Sequence, residues 1–157
     1  MRIEYFQLID RIVDLDLDGR TIRVAAQVPN ESTIFEGHFP GHPLMPGVLL
    51  IESMAQTSGW LVIALTRFER MPFLAAVKDA KLRAFVEPGQ MLSISANLVH
   101  EGSGFAVASA AVKRDGKLVC NADITFRVMP FPDPTFRASM ERIAAEISFP
   151  MKAPADG

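Results

Sequence analysis

From residue 47 to residue 65 apolar side chains fall on nearly every side of a helical wheel: Val48, Leu49, Leu50, Ile51, Met54 and Ala55, then Trp60 through Leu65. A helix that is apolar all round is a buried one, so this run predicts a long core helix. The rest of the chain alternates. Residues 5–17 and 21–28 flank Asp18-Gly19, and four further strand-like runs, 73–86, 91–100, 104–114 and 117–128, follow the helix. Alternation of this kind predicts half-buried strands. The breaks between them carry the chemistry of reversals: Met71-Pro72, Pro88-Gly89, Gly102-Ser103-Gly104 and Asp115-Gly116. The fold class predicted is α+β, an antiparallel sheet wrapped around one long central helix.

Beyond residue 130 the period changes again. Phe136, Met140, Ile143, Ala144 and Ile147 make an apolar stripe at helical spacing, with Arg137, Glu141 and Glu146 largely outside it and Thr135 placed to cap its start. The expected division is a domain at 1–130 and a C-terminal extension with an amphipathic helix at 131–157. The mixed charge of that helix favours a cover for the sheet or a subunit contact over a membrane surface. Residues 151–157 read as a frayed end.

Composition narrows the function classes. With 157 residues, 49% of them hydrophobic, the chain supports one domain with one substantial core. A net charge of −2, from 16 basic and 18 acidic residues, provides no footprint for nucleic acid. Cys120 is the sole cysteine, which excludes an internal disulfide and reads as a small buried hydrophobe. The start, Met1-Arg2-Ile3-Glu4-Tyr5, has no signal-peptide pattern, so a cytoplasmic location is expected. The 47–65 run approaches membrane-spanning length, but Glu52, Ser53, Gln56, Thr57 and Ser58 would be costly in lipid. No membrane span is expected. Asp14, Asp16, Asp18 and Gly19 imitate the start of a calcium loop, yet its twelfth position is Ala25 where a bidentate Glu is needed.

The candidate chemistry lies between residues 36 and 56. Pro40, Pro43 and Pro46 hold φ near ~−65° and press the preceding residues toward extended geometry, so His38 is expected on a stiff loop. The same prolines forbid the helix that would let His38 and His42 share a metal, so no metal is expected. Glu52 lies within the apolar helix one turn before Gln56, a spacing at which side chains meet. Val48 and Ala55 share its face, so the carboxylate is expected to be buried. A carboxylate in that setting is costly unless something uses it. An imidazole on a loop and a carboxyl on a buried helix form an acid/base pair. His100, beside Glu101 and Gly102, reads as an exposed turn residue.

At these residues the chain resembles a known family. Glu36-Gly37-His38-Phe39-Pro40, Pro43, Pro46-Gly47-Val48-Leu49 and Glu52-Ser53-Met54-Ala55-Gln56 are similar to the active-site segment of the beta-hydroxyacyl-acyl carrier protein dehydratases, which have the hot-dog fold. The similarity continues through Ala80-Lys81-Leu82-Arg83, Val86, Pro88-Gly89 and residues 115–120, so it covers roughly residues 5–128. It implies dehydration of a (3R)-3-hydroxyacyl-acyl carrier protein to the trans-2-enoyl product in fatty acid biosynthesis, with no cofactor. Its partner is an acyl carrier protein bearing a phosphopantetheine-linked chain.

Such a reaction removes a C2 proton and expels the C3 hydroxyl, which calls for a base, an acid and a stabiliser of charge on the thioester oxygen. On the resemblance, His38 is the base, since imidazole takes and returns protons near neutral pH. Glu52 is the acid, its carboxyl kept neutral by apolar surroundings. The backbone amide of Gly47 at the helix start binds the thioester carbonyl, and Gln56 orients Glu52. The resemblance also implies a homodimer, with assembly into a trimer of dimers left open. His38 and Glu52 then come from different subunits. Phe39, Val48, Phe73 and Phe85 are candidates for an acyl tunnel or gate, and Lys81 and Arg83 for contact with the carrier protein or its phosphate.

Departures from the pattern matter. Ala84-Phe85 stand where common members have a basic residue and then proline, the helix that often precedes the first strand is missing from the pattern, and a C-terminal extension is added. With the start Glu4-Tyr5-Phe6-Gln7-Leu8-Ile9-Asp10-Arg11, these features are most similar to the specialised dehydratases serving very-long-chain acyl groups for lipid A. A close relative that also isomerises the double bond carries Asp in place of Glu52 and Trp in place of Ala55, so dehydration without isomerisation is expected. A hot-dog acyl thioesterase and a non-catalytic acyl-binding subunit remain alternatives.

Overall fold

In the computed structural model, which describes residues 1–151, six strands form one antiparallel sheet around a central helix. In chain order the elements are a single 3-10 turn (Ile3–Tyr5), β1 (Arg11–Asp16), β2 (Thr21–Gln27), α1 (Thr33–Gly37), α2 (Gly47–Leu65), β3 (Arg70–Leu82), β4 (Met91–Gly102), β5 (Phe105–Arg114), β6 (Lys117–Pro130) and α3 (Pro134–Glu146). The strand order is β1-β2-β4-β5-β6-β3, and α2 packs across β2 through β6.

The core is the inner face of the sheet closing on α2. Leu50, Met54, Leu61 and Ile63 of the helix meet a sheet face that includes Val24, Leu92, Ile94 and Ile124, all essentially without solvent contact. Helix α2 is apolar and long enough to cross a membrane, yet 72% of its most apolar window is buried inside the protein. Its polar core residues turn back on their own backbone, Ser53 Oγ donating to Leu49 O (2.9 Å) and Thr57 Oγ1 to Ser53 O (2.8 Å).

Two expected reversals are two-residue turns with left-handed backbone at both positions: Ser103-Gly104 (φ 55° and 80°) and Asp115-Gly116 (φ 51° and 75°). That geometry matches the right-handed twist of the strands it joins. The Asp18-Gly19 turn is built differently. The left-handed residue is Arg20 (φ 55°), while the Gly19 amide donates to Asp16 Oδ1 at 2.9 Å.

Several boundaries differ from the sequence reading. Residues 5–10 are not strand: Phe6 is left-handed (φ 57°), and a side chain from α2 takes the hydrogen bonds that a neighbouring strand would supply. Strand β3 runs through Pro72, because it is a sheet edge and pairs only with β6, where a missing N–H leaves no ladder partner orphaned. His100 is exposed as expected but lies within β4, beside a bulge, and not in a turn. Helix α1, five residues long, carries too little periodicity to be read. Helix α3 starts earlier than expected: Asp133 is the cap, its Oδ1 accepting the Phe136 amide at 2.8 Å, and Pro134 occupies the first turn. The expected stripe is present, with Ala144 and Ile147 buried. Of the segment expected to fray, only Met151 lies among the described residues.

Candidate active site

His38 follows directly on α1. Its amide donates to Ile34 O (3.0 Å), and the Leu44 amide donates to His38 O (2.9 Å). The ring is fixed by a further contact, Nδ1 lying 2.9 Å from Leu44 O. A carbonyl can only accept, so Nδ1 carries the hydrogen and the neutral ring keeps its lone pair on Nε2. That is the tautomer of a base aimed away from its own loop. Phe39, joined to His38 by a cis peptide bond, stacks on the imidazole with ring centroids 4.0 Å apart. Reciprocal backbone bonds between Phe39 and His42 pinch the loop, and the Met45 amide ties it to Val86 O at 2.7 Å. The helix α1 behind it is capped by Ser32 and by the exposed Glu4. Glu4 Oε1 accepts from Ser32 Oγ (2.6 Å) and the Thr33 amide (3.1 Å), bonds that hold the carboxyl below its ordinary value, the Ser32 bond most of all.

Helix α2 begins at Gly47, after Pro46. The Leu49 and Leu50 amides both turn to Pro46 O, and among the described residues no acceptor meets the Gly47 or Val48 amide. These two donors sit at the positive end of the helix dipole. The backbone is approached closely here: a Cβ at residue 47 would lie 2.5 Å from Leu82 Cδ1.

Glu52 lies one and a half turns along α2. The expectation of a buried carboxylate is corrected, because within one chain Glu52 is half-buried. Of its face neighbours only Ala55 is covered, whereas Val48 is 69% exposed. Glu52 lines a cavity of about 420 Å³. Gln56 stands next to it, Nε2 donating to Glu52 Oε1 (3.2 Å) and to Phe6 O (2.7 Å), while Gln56 Oε1 accepts the Leu8 amide (3.0 Å). One amide side chain thus orients the carboxylate and pins the N-terminal segment against α2.

The remaining predicted residues divide. Val48, Phe85 and half-exposed Phe39 are on the surface of the chain. Phe73 packs on Phe136 of α3 (6.1 Å between centroids) and is not in the wall of the Glu52 cavity. Lys81 is exposed, and exposed Arg83 donates through Nε to Asn121 Oδ1 (3.1 Å). His38 is likewise absent from that wall, so this cavity does not bring it together with Glu52. The sequence reading missed the wall itself. Phe6 and Ile9 of the N-terminal segment, Trp60 of α2, Met140 and Ile143 of α3, and Ile147 just after that helix line it. Their only sequence signal was apolar character, which ordinary core shares.

With this geometry in view, a model described as a FabA-like domain matches residues 2–123. The chain belongs to the FabA-like family. It is 37% identical over 121 residues to a 3-hydroxyacyl-acyl-carrier-protein dehydratase FabZ of Lactiplantibacillus plantarum, covering 76% of this chain and 82% of that one. It is 38% identical over 123 residues to the protein of the same name from Shewanella sediminis, covering 76% and 80%. Among solved structures it is similar to a hypothetical thioesterase from Streptococcus pneumoniae with coenzyme A (TM-score 0.61, 19% identity, 76% and 85% covered). A conserved protein from Pseudomonas aeruginosa is also similar (TM-score 0.62, 23% identity, 80% and 91% covered). At such identities the likeness concerns the fold, the hot-dog arrangement of a sheet around one helix. In this FabA-like chain the matched span contains His38, Gly47, Glu52 and Gln56 and ends before α3 begins.

Proposed function

We propose that this FabA-like chain is a 3-hydroxyacyl-acyl carrier protein dehydratase of fatty acid biosynthesis. The observation that carries the proposal is the preparation of its two groups: an imidazole locked with Nε2 free, and a carboxyl steadied by Gln56 at an apolar cavity. His38 Nε2 takes the C2 proton of the thioester. Electrons move through the enolate, whose oxygen accepts hydrogen bonds from the free amides at the start of α2. The C2–C3 double bond forms as the C3 hydroxyl leaves, protonated by the carboxylic acid of Glu52, as water. His38 and Glu52 exchange a proton through solvent before the next turnover.

The pair is completed across a homodimer, His38 of one protomer facing Glu52 of the other. This reading is supported by the absence of His38 from the cavity that Glu52 lines, and by the exposed apolar residues Val48, Leu74, Val77, Leu82 and Phe85 around the loop, the start of α2 and the β3 edge. The carrier protein supplies the substrate, with Lys81 and Arg83 as its contacts. The protein acts in the cytoplasm. The finer reading, very-long-chain acyl groups for lipid A, rests on the segment from Glu4 to Arg11 and on the extension.

The test uses purified protein and 3-hydroxyacyl-carrier substrates, with enoyl product and free thiol measured together by mass spectrometry. His38→Ala and Glu52→Gln each lower enoyl formation by ~10²-fold or more. The two inactive variants, unfolded and refolded as a mixture, recover about a quarter of wild-type activity, because half the dimers are mixed and each of those holds one intact site. Thiol release without enoyl product identifies a thioesterase instead. No recovery on mixing places both groups of a site in one chain.

A further inference from the structure

The cavity beside Glu52 has a wall that the family match does not include. On α2 it is bordered by Glu52, Ala55, Gln56, Gly59, Trp60 and Ile63. These recur every three or four residues, so the slot follows one face of the helix for roughly 16 Å. Met71 and Leu74 of β3 continue it. Its volume falls in the ~300–1,000 Å³ range of sites that enclose small ligands. The matched span ends at residue 123, yet Met140 and Ile143 of α3, and Ile147 just after it, line the same space. Arg2, Gln7, Asp10 and Glu146 also contribute to the wall, so its apolar stretch is finite.

Helix α3 is held in place. Asp133 caps it, Phe136 packs on Phe73, and Ile147 O accepts the Ile12 amide at 2.8 Å, joining the helix end to β1. Just past the helix, the Phe149 ring packs at a tilt against Trp60 with centroids 5.5 Å apart. A wall fixed at both ends sets a limit that a frayed extension could not.

We propose that α3 is the stop that limits acyl-chain length in this protein, with Met140 and Ile143 as the residues that set the limit. The proposal rests on the dehydratase reading for its substrate, an acyl tail whose thioester lies at Glu52 and whose methylenes run along α2 toward Ile63. Methylenes beyond the α3 side chains find no space and stay in water, losing about a fourfold gain in binding for each one left unburied. Met140 and Ile143 are only partly buried, so changing them alters the slot more than the core.

The experiment compares the whole chain with Met140→Ala, Ile143→Ala and Ile143→Phe over a ladder of 3-hydroxyacyl-carrier substrates. The readout is the ratio of kcat/KM for long and short chains, in which a general loss of active protein cancels. The alanine variants are expected to move the cutoff to longer chains, about fourfold per methylene newly buried, and Ile143→Phe to move it to shorter ones. In parallel, saturated acyl-carrier thioesters of graded length are titrated against the fluorescence of Trp60, the only tryptophan and part of the wall. If the wild type forms no enoyl product, the dehydratase reading fails while the titration still reports the length limit. Unchanged cutoffs in both the enlarging and the filling variants, by turnover and by titration, overturn the role of α3.

Discussion

Gln56 links two functions in one side chain. Its amide holds Glu52 on one side and replaces a strand partner for Phe6 and Leu8 on the other. Gln56→Leu keeps the volume and removes all three bonds, leaving the Leu8 amide unpaired in a part-buried site. A loss of about 1–3 kcal/mol in urea denaturation is expected, and, on the proposed mechanism with Glu52 as the acid, a fall in kcat larger than any rise in KM. Wild-type stability in this variant would remove Gln56 from the fastening of the N-terminal segment. The pairing of Glu52 with Gln56 was legible in the sequence because a four-residue interval on a helix has one geometric meaning. The exposure of Glu52 was not legible, since it depends on what covers that side of α2, and a single chain leaves Val48 uncovered.

At the scale of elements, local chemistry could be read wherever it was redundant. The apolar run after Pro46-Gly47 marked α2 to the residue, and Ser103-Gly104 and Asp115-Gly116 marked the tight turns of the sheet. Competition between signals caused the errors. Pro72 reads as a break, but an edge strand has no use for its missing donor. Thr135 reads as a cap, but Asp133 stands before a proline whose φ is already helical, and the helix starts there. Asp133→Ala is therefore the substitution that weakens α3, by roughly 0.5–2 kcal/mol. Because Trp60 packs against Phe149 beyond the end of this helix, its emission is expected to shift before the circular dichroism of the sheet is lost. Coincident transitions by the two probes would mean that α3 is not a separately loosened unit.

For the whole molecule, the architecture followed from the pattern, an alternating sheet around one uninterrupted apolar helix, but the composition of the site did not. Patterns along a chain describe what that chain buries, and the cavity that Glu52 lines does not include His38. Cys120 illustrates the buried part. It lies in β6 with no solvent contact, and burial raises its thiol to about 11. At pH 8 a disulfide reagent is expected to label it only at the rate at which the sheet opens, and denaturant that unfolds the chain accelerates labelling in parallel with loss of structure. Fast labelling of the native protein would show that the β5–β6 region breathes independently of the core.

Strand β3 is the opposite case, a sheet margin bearing Leu74, Val77 and Leu82 in water. Bare margins of this kind attract any passing strand. On the two-chain reading, the fate of a newly made polypeptide becomes a matter of supply: where copies are scarce it stays solitary, idle and prone to clumping, and where they are plentiful it finds its twin first. Output would then climb faster than expression, so that the gene dose acts as a threshold and not as a dial.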